Sequence, residues 1–185
     1  MSVFQMIEVE DATGEVAELY EDIQRDMGIP FVPNIDKALA SAPNVLKGTW
    51  EVTKNVFLQT TLPMSLAMMI LYKIASGNNC EYCASIHKVN CMSSGIDEDT
   101  LAALESDLEA LSPVRVQTIL RFAEKCAFDR HNLTDADYDE VRDQGITDEE
   151  MIEIVALTAL STYLDIIADS FKLDVDDVIK QALAG

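Results

Sequence analysis

Apolar residues recur along this chain every three to four positions, the spacing of amphipathic helices. Val16, Leu19, Tyr20, Ile23 and Met27 form one such face, which ends at Gly28. Pro30, Pro33 and Asn34 predict a turn, followed by a short helix over 35–40 and a longer one from Pro43 to about Gln59. Pro63 opens a helix that runs to Ser76, Gly77-Asn78-Asn79 breaks it, and a new helix starts at Cys80 and stops by Gly95. Asp97 predicts the cap of a helix through Glu105. Ser112-Pro113 predicts a cap followed by a first-turn proline, in a helix reaching Arg130. Thr134 with Asp137 opens the next, which ends at Gly145. Thr147 with Glu150 is a capping box ahead of a long apolar helix from Met151 to Phe171, and Asp174 starts a last short one. No alternating β-branched run lies between turn signals, so the pattern predicts an all-α fold.

The length, 185 residues, predicts a single domain over 1–185 with its own core, residues 1–60 serving as an N-terminal helical arm suited to wrap a partner subunit. An apolar fraction of 49% in an all-helical chain leaves surface to bury, which predicts a homo-oligomer. Thirteen Lys and Arg stand against 33 Asp and Glu, a net charge of −20. Such a surface repels phosphate backbones and anionic lipid, so nucleic acid and membrane surfaces are not expected partners. The longest apolar stretch, Leu62 to Ala75, is interrupted by Pro63, Ser65 and Lys73 and is too short for a membrane span. No basic segment leads into an apolar run at the N-terminus, and a cytoplasmic location is the expectation. Four cysteines are too few for a disulfide scaffold, and two of them form a Cys-x-x-Cys motif.

That motif is Cys80-Glu81-Tyr82-Cys83, with His87 four residues on. On one helix, with Cys80 at zero, Cys83 lies at about −60°, His87 at about −20° and Cys91 at about +20°, so all four share a stripe. Cys80 and Cys83 are close enough for a disulfide if the first turn adapts, and His87 is phased to reach the Cys83 sulfur. The helix N-terminus is expected to favour a thiolate. A thiolate beside a histidine is the equipment of nucleophilic sulfur chemistry. Zinc is the rival. Cys80 and Cys91 are separated by about 16 Å along the axis and cannot share an ion. A site on Cys80, Cys83 and His87 needs a fourth ligand, for which only His131 and Cys126 are available, so no metal is expected. Cys91 and Cys126 read as core thiols, His131 as a cap on helix-end carbonyls, and Trp50 and Tyr163 as packing residues.

Cys80-Glu81-Tyr82-Cys83-Ala84-Ser85-Ile86-His87, preceded by a helix with Leu62-Pro63 at its start, resembles the carboxymuconolactone decarboxylase family in its alkylhydroperoxidase D-like (AhpD-like), peroxidase-related branch. The likeness extends to Gly28-Ile29-Pro30 through Asn34, to Pro113–Lys125, to Leu133-Thr134-Asp135 and to Gly145–Glu150. It implies a compact helical AhpD-like bundle, with the motif at the N-terminus of a central helix, assembled as trimers or hexamers. It also implies a thiol-dependent antioxidant peroxidase acting on a hydroperoxide substrate and recharged by a thiol or protein reductant. Cys83 would then attack the peroxide, His87 would move protons, and Cys80 would resolve the sulfenate. No cofactor is implied, because two thiols carry two electrons. The family's relay glutamate lies 12 residues before the first cysteine, and Met68 occupies that position here. A thioether cannot relay a proton. The alternative reading is therefore a thiol–disulfide or redox-sensing module that keeps the fold.

Overall fold

The computed structural model describes residues 2–184, and these form ten α-helices and no strand. They are α1 (Glu15–Met27), α2 (Asn34–Leu39), α3 (Pro43–Thr53), α4 (Met64–Gly77), α5 (Glu81–Ser93), α6 (Glu98–Glu105), α7 (Val114–Phe128), α8 (Asp135–Asp143), α9 (Asp148–Phe171) and α10 (Asp177–Ala184). A wider π turn, Lys54–Leu58, prolongs α3, so the chain stays helical close to the expected Gln59. Gly28 ends α1 in the left-handed conformation (φ 68°), which a glycine adopts without a Cβ clash. Both capping boxes form. Thr134 and Glu150 reach their partners as their spacing predicts, with Glu150 N donating to Thr147 Oγ1 at 3.1 Å and Thr147 N to Glu150 Oε2 at 2.8 Å.

Three boundaries differ from expectation. Pro113 itself occupies the cap position of α7, in extended conformation, so Ser112 does not cap. That helix ends at Phe128, and the cation bonding its last turn is Arg130, whose Nη1 donates to Ala127 O at 3.2 Å. His131 sits exposed in the following 3-10 turn. The final helix starts at Asp177 rather than Asp174, because Asp176 O accepts its first N–H groups, from Ile179 and Lys180, at 3.0 Å.

The helices bury two apolar clusters. The first joins α4, α6, α7 and α9 through residues such as Ile70, Ile74, Leu104, Leu120, Ile154 and Leu157, and it holds Cys91. The second joins α1, α2 and α3 to the start of α5 and the end of α9 through Tyr20, Ile23, Leu46, Trp50, Cys80, Cys83 and Ala168. Residues 16–50 thus pack on the body of their own chain. Burial of this extent, at about 25 cal/mol per Å² of apolar surface, is the main force holding the helices together. By length and composition α9 is a candidate membrane span, which the reading of apolar runs passed over; here Ile154, Leu157, Leu160 and Ala168 bury its inner face against the other helices.

Candidate active site

The turn Gly77–Asn79 builds the site. Asn79 takes a left-handed conformation (φ 57°), and Cys80 N donates back to Ala75 O at 3.0 Å. Cys80 therefore becomes the extended residue that caps α5, and Cys83 enters one turn later. The motif lies at the N-terminus of α5. Both cysteines are free thiols.

Their immediate partner is a residue of α9. The sulfurs of Cys80 and Cys83 and a carboxylate oxygen of Asp165 all lie within 4.8 Å of one another. Cys80 is 0% exposed, Cys83 4% and Asp165 2%, so the trio is closed to bulk water. Asn78 Nδ2 donates to Asp165 Oδ2 at 2.7 Å, while Oδ1 has no hydrogen-bond partner. Burial raises the Asp165 carboxyl above its ordinary range, and the Asn78 bond partly offsets this. The Cys83 thiol is pushed far up by its contact with Cys80, by burial and by the Asp165 charge. The expected stabilisation of a resting thiolate is thus outweighed: a helix terminus supplies only about half a charge, against the Cys80 contact, burial and the Asp165 carboxylate together.

His87 is a further buried group on α5. It is buried, its Nδ1 has no hydrogen-bond partner, and burial lowers it to about 4, so it is neutral near pH 7. The cluster around the Cys83 sulfur contains Asp165 and not the imidazole. Cys83 and His87 both line a cavity of about 100 Å³ bordered by α2, α3, α5 and α9. Trp50, Phe57, Ile86 and Leu164 make that wall apolar, and Asp36 adds a buried carboxyl raised to about 7 by burial and by Asp176. Cys80 and Asp165 do not line the cavity.

The remaining sequence candidates lie elsewhere. Cys91 is buried in the first core cluster and raised to about 12 by burial; Cys126, partly buried on α7, is raised to about 11 by burial and by Asp137. Neither Cys126 nor His131 joins the Cys80–Cys83 pair. Met68 accepts a hydrogen bond from Ser94 Oγ at 3.0 Å and does not line the cavity. Tyr163 is partly exposed, its hydroxyl 2.8 Å from Thr49 Oγ1.

The reading of cysteines and histidines missed Asp165, Asn78 and Asp36. Asp165 had a signal. It falls on the same helical phase as Ile154, Leu157, Ser161 and Ala168, which is the buried face of α9. A carboxylate on a core face asks for a partner or a task.

An all-α bundle with a buried dithiol at the start of an inner helix defines the class, and its fold is that of the AhpD-like, peroxidase-related proteins. An alkylhydroperoxidase AhpD core, a peroxidase-related protein from Ralstonia eutropha JMP134, superposes with a TM-score of 0.86 at 22% identity, over 96% of this chain and 94% of that one. A peroxidase-related protein from Silicibacter sp. TM1040 gives 0.81 at 21% identity, covering 97% of each chain. The debrominase Bmp8, as a cysteine-to-alanine variant in complex with 2,3,4-tribromopyrrole, gives 0.82 at 16% identity, covering 100% of this chain and 97% of that one. No protein-family model matches the sequence, and no curated protein does.

Proposed function

We propose that this chain is a thiol-dependent peroxidase that reduces a hydroperoxide through the Cys80–Cys83 pair. The observation that carries the reading is the division of the two sulfurs: Cys83 lines the cavity beside His87, and Cys80 lies behind it, within 4.8 Å of the same cluster but off the cavity. A hydroperoxide in the cavity meets Cys83 first. The Cys83 sulfur attacks the terminal oxygen, the O–O bond breaks, and Cys83 becomes a sulfenic acid as the alkoxide leaves and is protonated to the alcohol. His87, neutral at working pH, is placed to pass that proton. Cys80 then displaces the hydroxyl as water and forms the disulfide. An external thiol or protein dithiol returns the pair to the reduced state. The AhpD-like fold supports this reading, and it also supports assembly with further copies: Ile152, Val155, Tyr163 and Ile166 leave an exposed apolar stripe on α9. Hydroperoxide consumption in the presence of a dithiol reductant, abolished in Cys83→Ser, tests the function.

The apolar cavity favours one second reading. The same dithiol could reduce a small bromoaromatic, as the fold of a debrominase suggests. Two thiols and R–Br would yield R–H, a disulfide, bromide and a proton. Bromide release from a bromopyrrole under the same reducing conditions separates the two activities.

A further inference from the structure

We propose that Asp165 is the general base of the resolving step, taking the Cys80 proton as Cys80 attacks the oxidised Cys83 and passing it to the departing group. The inference rests on the dithiol reading above and adds a residue to it. Cys80 is fully buried and does not face the cavity, so neither bulk water nor a substrate-side group is at hand when its S–H must break. The carboxylate clustered with it is Asp165. One oxygen of that carboxylate is anchored by Asn78, and the other is buried without a partner, an arrangement that normally has a task or a cost. In the step itself the Cys80 S–H bond and the Cys83 S–O bond break, and the S–S bond forms. The proton moves through Asp165 to the leaving hydroxide, which departs as water.

The ionisable groups facing Asp165 are Cys80 and Cys83 from α5 and Asp169, one turn along α9; α4 presents the neutral Asn78, and His87 and Asp36 lie on the cavity beyond Cys83. Asp169 raises the Asp165 carboxyl through its charge. Burial and the Asp169 charge move the Asp165 titration upward, and resolution quickens as pH rises through it.

The test uses the reduced protein and one equivalent of 4,4′-dithiodipyridine, which needs no peroxidase activity. Cys83 releases one thiopyridine and holds the other in a mixed disulfide; Cys80 then releases the second. Asp165→Asn, nearly isosteric, removes a charge that raises the Cys83 thiol and so should not slow the first release, while it should slow the second by about 100-fold, the scale of general-base assistance. Asp169→Asn, at an exposed position, removes a negative charge and should move the pH profile of the second release to lower pH while leaving the first in place. A second release at the wild-type rate in Asp165→Asn overturns the proposal. If that variant does not fold by circular dichroism, an unmoved profile in Asp169→Asn overturns it. A parallel reaction with hydroperoxide separates the two claims: wild-type protein that completes both thiopyridine releases but consumes no peroxide contradicts the peroxidase reading alone.

Discussion

Tyr82, inside the Cys-x-x-Cys motif, donates its hydroxyl proton to Asp176 Oδ2 at 2.9 Å. The same hydroxyl accepts Ile35 N at 3.0 Å, and Asp176 Oδ1 accepts Asn34 N at 3.0 Å. One phenol thus ties the redox helix to the start of α2 and to the segment ahead of α10. Tyr82→Phe leaves the Ile35 N–H and one carboxylate oxygen buried without this partner. A stability loss of about 1–3 kcal/mol is expected from urea unfolding, the scale of an unsatisfied buried group. A loss indistinguishable from zero would show that the bond does not hold these segments together.

Much of this was legible in the chain. Helix positions followed from the three-to-four spacing of apolar residues, and the capping boxes at Thr134 and Thr147 formed where their spacing put them. The motif's place at the head of α5 followed from Gly77-Asn78-Asn79, which stops α4. The site was legible only within one helix. Asp165 lies 82 residues beyond Cys83, and only tertiary packing brings α9 to α5. Helix phase alone also could not show that His87 would line a cavity, or that the Cys80 contact, burial and a carboxylate would together reverse the expected thiolate preference. The partner of the Tyr82 phenol, Asp176, cannot be inferred from its own neighbours along the chain.

Mild oxidation should join Cys80 to Cys83 and leave Cys91 and Cys126 as thiols. The first two sulfurs already share one cluster, whereas Cys91 is in the other core cluster and Cys126 on α7. Burial raises both remaining thiols, which lowers their thiolate fraction. Peptide mapping checks this, and a dominant bridge through Cys91 or Cys126 would contradict it.

Met68→Glu should leave the hydroperoxidase rate at the wild-type level. The side chain at this position meets Ser94 toward the far end of α5 and stays off the cavity wall. A folded variant with a clearly faster rate would show that a glutamate there reaches His87 and that the missing relay limits the native protein.

Asp36 gives stability a defined pH dependence. The folded chain keeps its proton up to about 7, whereas an ordinary aspartate releases it at 3.8. Between those values the unfolded chain has lost a proton that the folded chain retains, so stability falls as pH rises across the window. The interval corresponds to roughly 4 kcal/mol. His87, lowered from 6.5 to about 4, acts the opposite way, losing stability as pH falls, and because it is common to the wild type and Asp36→Asn its contribution cancels when the two are compared. In urea unfolding Asp36→Asn should be the more stable protein at about pH 8, with an advantage that shrinks as pH falls toward the ordinary aspartate range. A constant difference between the two proteins would contradict the assignment.

The most direct test of the dithiol mechanism is a single-turnover reaction of reduced protein with one equivalent of an organic hydroperoxide, followed by mass spectrometry with a sulfenic-acid trap. Wild-type protein should convert the peroxide to its alcohol and lose two thiols to a Cys80–Cys83 disulfide. Cys80→Ser should consume the same equivalent and stop at a trapped sulfenic acid on Cys83, and Cys83→Ser should consume none. A sulfenic acid on Cys80 in the Cys83→Ser protein, or full thiol titres after exposure of the wild type to peroxide, would contradict the account.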